Sequence, residues 1–177
     1  MSFNWKSKVD WILNIATVFL LFLMLWQRGP GIVEHFKVEN QSAPSFRVPL
    51  LDGNFLVLNE KKQNVILVFW ATWCGPCSLE LSRIDEMIKN KEISADSIYA
   101  VSSNEEQSLL EKVVGERGYS FKVGVDGDGS VASLFGVKGT PTIVFINAEQ
   151  KIDWITTGLS PFLGLRIKRF LVAKNKT

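Results

Sequence analysis

The sequence has 177 residues, of which 46% are hydrophobic and 21% charged, a composition typical of one globular domain with a short additional segment. The formal net charge of +2, without a basic run interleaved with aromatic residues, argues against a nucleic-acid partner. One histidine and two cysteines are too few for a structural zinc site, which needs about four ligands.

The chain begins with an apolar segment that predicts a membrane anchor. Residues 11–26 read WILNIATVFLLFLMLW, slightly fewer than the about 20 residues that span a bilayer core, with a tryptophan at each end. Lys6 and Lys8 precede the segment and Arg28 follows it, which favours an N terminus in the cytoplasm. A cleaved signal peptide is the alternative, but no small-residue cleavage site follows the segment. We therefore expect an uncleaved single-pass anchor within residues 1–28, and a catalytic domain outside the cytoplasm.

The remainder of the chain divides into a tether, residues 29–44, and one domain, residues 45–177. The tether is predicted from its turn formers and weak periodicity, and its lone His35 is expected to be solvated. In the domain, strands are predicted at 46–49 and 55–58, as a hairpin, and at 65–70, 97–101, 121–125, 142–147 and 151–157. Helices are predicted at 77–89, 105–117 and 130–135 and from Ser160-Pro161 onward. This order indicates an α/β fold with a mixed central sheet flanked by helices.

Both cysteines lie in the stretch FWATWCGPCSLE, residues 69–80. Cys74 and Cys77 follow the buried strand at 65–70 and open a helix, the position at which open sheets place their sites. A helix N terminus stabilises a thiolate, and we expect Cys74 to be the more exposed thiol and Cys77 to lie one turn deeper. A disulfide at this spacing closes too small a ring to be useful as a structural staple. The spacing therefore favours disulfide exchange, in which Cys74 attacks and Cys77 resolves.

Two motifs carry a resemblance to a known family. WCGPC, residues 73–77, resembles the thioredoxin signature, and GTPT, residues 139–142, resembles the loop that holds its cis-proline. Together with APSFRVPLLDG before the first buried strand, they make residues 43–172 similar to the membrane-anchored extracytoplasmic TlpA, ResA and CcmG group of thiol–disulfide oxidoreductases. The resemblance implies a thioredoxin-like fold with an N-terminal hairpin extension. The substrate-binding residues that it implies are Trp73, Gly75, Pro76, Thr140 and the cis-residue Pro141.

An acidic residue near the dithiol distinguishes this chain from thioredoxins. Thioredoxins carry a buried aspartate where Val68 stands here, whereas Glu80, three residues after Cys77, matches an acidic position of ResA- and CcmG-like proteins. A glutamate one turn from Cys77 could accept its proton, and it would raise the pKa of Cys74 by like-charge repulsion. The alternative is a solvated glutamate on the helix surface.

The sequence therefore predicts a thiol–disulfide oxidoreductase in the bacterial cytoplasmic membrane that reduces disulfides of exported proteins on the periplasmic side. The resemblance implies electrons from a membrane donor of the DsbD or CcdA type, and neither an organic cofactor nor a metal. The substrate is open among apocytochrome c, an assembly factor for a copper site and another oxidoreductase. A disulfide oxidase or isomerase of the same fold is one alternative. A Cu(I) metallochaperone is another, although Trp73, Pro76 and the lack of a Met/His set argue against it.

Overall fold

The computed structural model describes Trp11, residues 13–20, Leu23 and residues 40–172. The chain divides into two units, residues 1–37 and 38–177. In the first unit the described residues are α-helical. The anchor predicted at 11–26 and the tether predicted at 29–44 fall in part outside the described residues, and His35 lies wholly outside them. Among the residues that are described, no helix combines the length and apolar character needed to cross a membrane.

The second unit contains the predicted β-hairpin. Strand β1 (Arg47–Pro49) pairs antiparallel with β2 (Phe55–Val57). In the turn between them, the Asn54 N–H donates to Asp52 Oδ1 over 3.0 Å, and Gly53 has a φ of 83°, which glycine adopts without a steric penalty. The hairpin extension is therefore confirmed.

Five further strands form a mixed sheet. They are β3 (Val65–Trp70), β4 (Ile98–Ser103), β5 (Lys122–Asp126), β6 (Thr142–Ile146) and β7 (Ile152–Thr157), in the spatial order β5-β4-β3-β6-β7. Strands β3, β4 and β5 are parallel, whereas β6 and β7 run antiparallel to their neighbours. The central strand β3 is buried at every position, as its continuous apolar run predicts.

Both edges of the sheet are covered. The hairpin lies along β5, where the Leu51 N–H donates to the Val123 carbonyl over 2.9 Å. Beside β7, the Asn40 N–H donates to the Ile152 carbonyl over 2.7 Å. The described part of the predicted tether, which begins at Asn40, therefore pairs with the sheet. Such coverage satisfies backbone groups that an open edge would leave unpaired.

Between residues 40 and 172 of this unit, four α-helices and two short 3₁₀ turns accompany the strands. The helices are α1 (Gly75–Lys89), α2 (Gln107–Arg117), α3 (Ser130–Leu134) and α4 (Leu163–Val172), and the 3₁₀ turns are Leu58–Glu60 and Ala95–Ser97. Helix α4 begins at Leu163 and not at the predicted Ser160-Pro161. The Ser160 carbonyl accepts the Leu163 N–H over 3.1 Å in the turn that precedes the helix.

The core has two layers, one on each face of the sheet, because successive side chains of a strand point to opposite faces. One layer joins Ile66 and its alternate neighbours on β3 to apolar residues of α1 and α4. The other joins Val65 and its alternate neighbours to the hairpin and α3. Helix α1 is thus fixed against the sheet directly after the end of β3, which positions the residues that open it.

Candidate active site

The two cysteines lie at the N terminus of α1. Cys74 is the N-cap of the helix, its Sγ accepts the Cys77 N–H over 3.2 Å, and the two sulfurs form a disulfide. Cys74 is 5% exposed and Cys77 is fully buried, so the predicted order of accessibility is confirmed, although only a small part of Cys74 reaches the surface. The hydrogen bond from the Cys77 N–H and the positive end of the helix dipole would both stabilise a thiolate at Cys74.

The second loop of the sequence motif lies against this sulfur. The Thr140-Pro141 peptide bond is cis, as predicted, and the Thr140 carbonyl oxygen lies 3.6 Å from Cys74 Sγ. The loop is held by two hydrogen bonds of 2.7 Å, from Thr142 Oγ1 to the Gly139 carbonyl and from the Gly158 N–H to the Pro141 carbonyl. Two segments that are distant in sequence thus meet at the one sulfur that is accessible.

Three predicted contact residues surround the disulfide at the surface. Trp73 is 80% exposed, and Gly75 and Pro76 are exposed as well. A Cβ atom added at Gly75 would meet no atom within 4 Å, so the space next to this residue is open. Trp70, by contrast, is a core residue, as predicted. The surface around Cys74 therefore combines a large aromatic ring with accessible backbone.

Glu80 is fully buried, which contradicts the alternative of a solvated glutamate on the helix surface. Its Oε1 accepts the Ser160 N–H over 2.7 Å. Its Oε2 lies 3.6 Å from Arg83 Nη1 and has no hydrogen-bond partner among the described residues. Buried polar atoms are nearly always hydrogen-bonded, so the unmatched Oε2, one turn from Cys77, distinguishes Glu80 from the other buried carboxylates of the described structure.

Comparison with known proteins identifies the family. A family model described as AhpC/TSA matches residues 40–155. This chain belongs to the AhpC/TSA family. It is 31% identical over 153 residues to the thiol-disulfide oxidoreductase ResA of Geobacillus thermodenitrificans strain NG80-2, which covers 82% of this chain and 87% of that protein. It is also 31% identical over 121 residues to ResA of Bacillus subtilis strain 168, with 68% of each chain covered.

Solved structures agree with this assignment. A crystal structure described as a thiol:disulfide interchange protein, DsbE, from Chlorobium tepidum has a TM-score of 0.66 and 27% sequence identity, and covers 76% of this chain and 96% of that one. StoA from Bacillus subtilis has a TM-score of 0.60 at 21% identity, a likeness that concerns the fold alone. The thioredoxin-like α/β fold and the resemblance to the ResA group are confirmed.

In this AhpC/TSA protein, two residues that sequence reasoning missed, Glu105 and Arg117, fix the loop between β3 and α1 at Thr72. The Thr72 N–H lies 3.0 and 3.2 Å from the two carboxylate oxygens of Glu105, which also accept the hydroxyls of Thr72 and Ser102. Arg117 Nη2 donates to the Thr72 carbonyl over 3.1 Å. Glu105 follows the carboxyl end of β4, the strand next to β3. Because open sheets place their sites at the carboxyl ends of strands, this position could have indicated from the sequence that Glu105 lies near the dithiol.

Within the described part of the chain, no three His, Cys, Asp or Glu side chains are grouped so as to hold a metal ion. The acidic turn after β5 is committed to structure, because the Asp126 carboxylate accepts the N–H groups of Val131 and Ala132 over 3.0 and 2.9 Å. These bonds satisfy donors that the start of α3 would otherwise leave free.

Proposed function

We propose that this chain is an extracytoplasmic reductase of protein disulfides. The chain is a thiol–disulfide oxidoreductase of the ResA and DsbE type, and the observation that carries the proposal is the position of the Cys74–Cys77 disulfide. It lies at a helix N terminus, with one sulfur accessible and the other buried. That is the asymmetry that a two-step exchange needs, because the first sulfur must meet a partner and the second must meet only the first.

The reaction proceeds through two exchanges at sulfur. The Cys74 thiolate attacks one sulfur of a substrate disulfide, and the other substrate sulfur leaves with the electron pair of the broken bond. Cys77 then attacks Cys74 Sγ in the mixed disulfide, and the second substrate sulfur leaves as a thiolate. The substrate gains two electrons, and the protein returns to the disulfide form. Two electrons from a membrane donor of the DsbD or CcdA type would restore the dithiol, so no organic cofactor is needed.

Five residues are proposed to hold the substrate. They are Trp73, Gly75, Pro76, Thr140 and Pro141. The proximity of the Thr140 carbonyl to Cys74 Sγ, at 3.6 Å, supports this role, because an extended segment that pairs with this backbone would bring its own sulfur to Cys74. The exposed ring of Trp73 adds apolar contact area next to the reacting atoms.

Glu80 is proposed to carry the proton of Cys77. A thiol is a poor nucleophile until it loses its proton, and Cys77 is fully buried, so its proton needs an acceptor inside the protein. Residues three apart on a helix are neighbours, which places Glu80 next to Cys77. The unmatched Oε2 supports this role, since it can take up a proton without breaking a hydrogen bond.

Location is proposed from the N-terminal sequence. An uncleaved anchor at residues 11–26 in the bacterial cytoplasmic membrane would hold the domain on the periplasmic side. The protein should then retain its first 28 residues and sediment with membranes. Sequencing of the mature protein tests this, and an N terminus beyond Arg28 would contradict it.

Trapping of the mixed disulfide tests the function. In Cys77→Ser, expressed as the full chain in its own host, Cys74 should remain bonded to substrate proteins, which non-reducing electrophoresis and mass spectrometry would identify. Cys74→Ser is the matched control, because it retains one thiol, that of Cys77, which is buried and should not meet the substrate. Equal and unselective adducts in both variants, or none in either, would contradict the proposed exchange.

A further inference from the structure

The chain between β3 and the dithiol forms a tight turn. The Cys74 N–H donates to the Ala71 carbonyl over 3.1 Å, so the turn comprises residues 71–74, with Thr72 and Trp73 as its central residues. Cys74 closes this turn and is also the N-cap of α1. The position of its sulfur at the helix N terminus therefore depends on the conformation of the turn.

Two charged side chains hold both backbone groups of Thr72. The oxygens of the Glu105 carboxylate lie 3.0 and 3.2 Å from the Thr72 nitrogen, and they also accept the hydroxyls of Thr72 and Ser102. Arg117 Nη2 donates to the Thr72 carbonyl over 3.1 Å. Because a peptide group is planar, these contacts fix the two successive peptide planes that meet at Thr72, and bonds to charged groups are the stronger kind. Glu105 and Arg117 together are called the Thr72 clamp below.

The Thr72 clamp is anchored in the core through α2. Glu105 lies between β4 and α2, and Arg117 is the last residue of that helix. Leu110 of α2 is fully buried, in the same core layer as the two cysteines. Arg117 is held further, because its Nη1 donates to the Tyr119 hydroxyl over 3.4 Å and its Cζ lies 5.8 Å from the centroid of the Trp70 ring. The clamp therefore connects the turn to a fixed part of the domain.

We propose that Glu105 and Arg117 are positioning residues that hold Cys74 in the geometry of disulfide exchange. By fixing the turn, they keep Cys74 Sγ beside Cys77 and the Thr140 carbonyl. A fixed turn raises the effective concentration of one sulfur at the other, so it favours the disulfide over the dithiol and makes the couple more reducing. When the disulfide forms, the two sulfurs bond to each other, and two electrons and the two thiol protons pass to the substrate disulfide. The inference rests on exchange at this dithiol but not on the proposed direction of exchange in the cell.

The reduction potential distinguishes a positioning role from a merely structural one. A contact that stabilises the oxidised and reduced forms equally changes the melting temperature of both, but it leaves the potential of the couple unchanged. The full chain, in detergent, is equilibrated with glutathione buffers, and the fraction that holds the Cys74–Cys77 disulfide is measured by thiol alkylation and mass spectrometry. Thermal melting of the oxidised and the reduced form of each variant is recorded alongside.

Glu105→Gln removes the charge and one acceptor oxygen from the clamp. We expect the equilibrium with glutathione to shift toward the dithiol by about threefold to tenfold, and tenfold corresponds to about 30 mV for a two-electron couple. The oxidised form should lose more thermal stability than the reduced form. Glu106→Gln is the matched control, since Glu106 is the neighbouring exposed residue and its side chain makes no cap hydrogen bond to α2. The potential of this control should equal that of wild type.

Arg117→Met tests the other side of the clamp. It should shift the equilibrium in the same direction as Glu105→Gln, whereas Arg117→Lys should restore part of the wild-type potential, because lysine keeps the positive charge and a donor but not the two-nitrogen fork. Tyr119→Phe is the matched control. It removes the hydroxyl that Arg117 Nη1 contacts and keeps the bond to the Thr72 carbonyl, so the potential should be that of wild type.

The outcomes separate this inference from the proposed function. Wild-type potentials in both Glu105→Gln and Arg117→Met would overturn the positioning role, whatever their melting temperatures, and would leave the trapping result with Cys77→Ser unaffected. A shift in one of the two variants alone would assign the role to that residue and withdraw it from the other. Shifted potentials without trapped substrates would refute the proposed function and retain the clamp.

A milder pair of variants decides the matter if Glu105→Gln fails to fold. Thr72→Val removes the hydroxyl contact with Glu105, and Thr72→Ser keeps it. A shift toward the dithiol in Thr72→Val that Thr72→Ser lacks would support the role of Glu105. Equal potentials in this pair would overturn it.

Discussion

Glu80 and Asp85 are both buried carboxylates on α1, but their oxygens are satisfied in different ways. Asp85 accepts the Ser120 N–H at Oδ1 over 2.6 Å and the Lys89 ammonium at Oδ2 over 2.6 Å. Glu80 has one such bond, from Ser160, and one oxygen without a hydrogen-bond partner in the described structure. Burial is thus common to both, and the completeness of hydrogen bonding separates them.

The difference indicates two roles for the same chemical group. Asp85 ties the last turns of α1 to the segment before β5 through a complete set of bonds, as a structural carboxylate does. Glu80 lies one turn from the dithiol, and its Oε2 has no hydrogen-bond partner among the described residues. Strained or incompletely satisfied groups concentrate at functional sites, so the contrast supports Glu80 as the functional member of the pair.

The largest effect that we expect is on the exchange rate of Glu80→Gln. The amide keeps the size of the side chain but does not accept a proton, so resolution by Cys77 should slow by about 10²-fold and lose its wild-type pH profile. The free energy of unfolding should change little, because the replacement is nearly isosteric and Ser160 retains an oxygen partner. The rate of resolution is measured by stopped flow, as the release of the second nitrothiobenzoate from dithiobis(nitrobenzoate) by the reduced protein. The free energy of unfolding is measured by urea unfolding. A wild-type resolution rate would remove the functional role from Glu80.

Asp85→Asn should show the opposite pattern. The exchange rate should equal that of wild type, whereas the free energy of unfolding should fall by about 1–3 kcal/mol, because a bond between charged groups is lost at a buried site. Lys89→Met is the comparison variant. It should lower the free energy of unfolding by less than about 1 kcal/mol, since the Lys89 side chain is 56% exposed and its ion pair with Asp85 is screened by solvent. Urea unfolding measures both values. Slow exchange in Asp85→Asn with unchanged stability would reverse the assignment of roles.

The smallest effect should appear in the pH dependence of stability. Burial raises the pKa of Asp85, but the hydrogen bonds from Lys89 and Ser120 outweigh it and hold the pKa below its usual value. The carboxylate therefore contributes stability that is fully present above the unfolded-state pKa of about 3.9 and is lost as the pH falls through the lower folded-state pKa. The stability difference between wild type and Asp85→Asn should be constant near neutral pH and shrink below about pH 4. A difference that grew on acidification would contradict this sign.

Local patterns were sufficient to predict most of the fold. The continuous apolar run of β3, the turn at Asp52-Gly53 and the motif WCGPC each act within a few residues, so the sequence displays them directly. The cis bond before Pro141 followed from resemblance and is confirmed. The boundaries of the anchor, tether and domain, and the location in the membrane, stay predictions.

Features that depend on distant segments were not predictable in this way. Glu80 is buried, and its Oε1 accepts the N–H of Ser160, which lies 80 residues further along the chain. The predicted helix start at Ser160-Pro161 precedes the observed start at Leu163 by less than one helical turn, a difference that is common at helix ends. The contacts of Glu105 and Arg117 with Thr72 likewise join segments that adjacent strands bring together.

The reduction potential of the Cys74–Cys77 couple tests the reductase assignment most directly. The Cys77 N–H and the helix N terminus favour a thiolate at Cys74, whereas the buried Glu80 and the Thr140 carbonyl at 3.6 Å oppose it, and no histidine stands between the cysteines to add stabilisation. Equilibration of the full chain with glutathione buffers should therefore give a value nearer to about −270 mV, as in thioredoxin, than to about −120 mV, as in DsbA. A value close to that of DsbA would contradict the reductase assignment and indicate a disulfide oxidase.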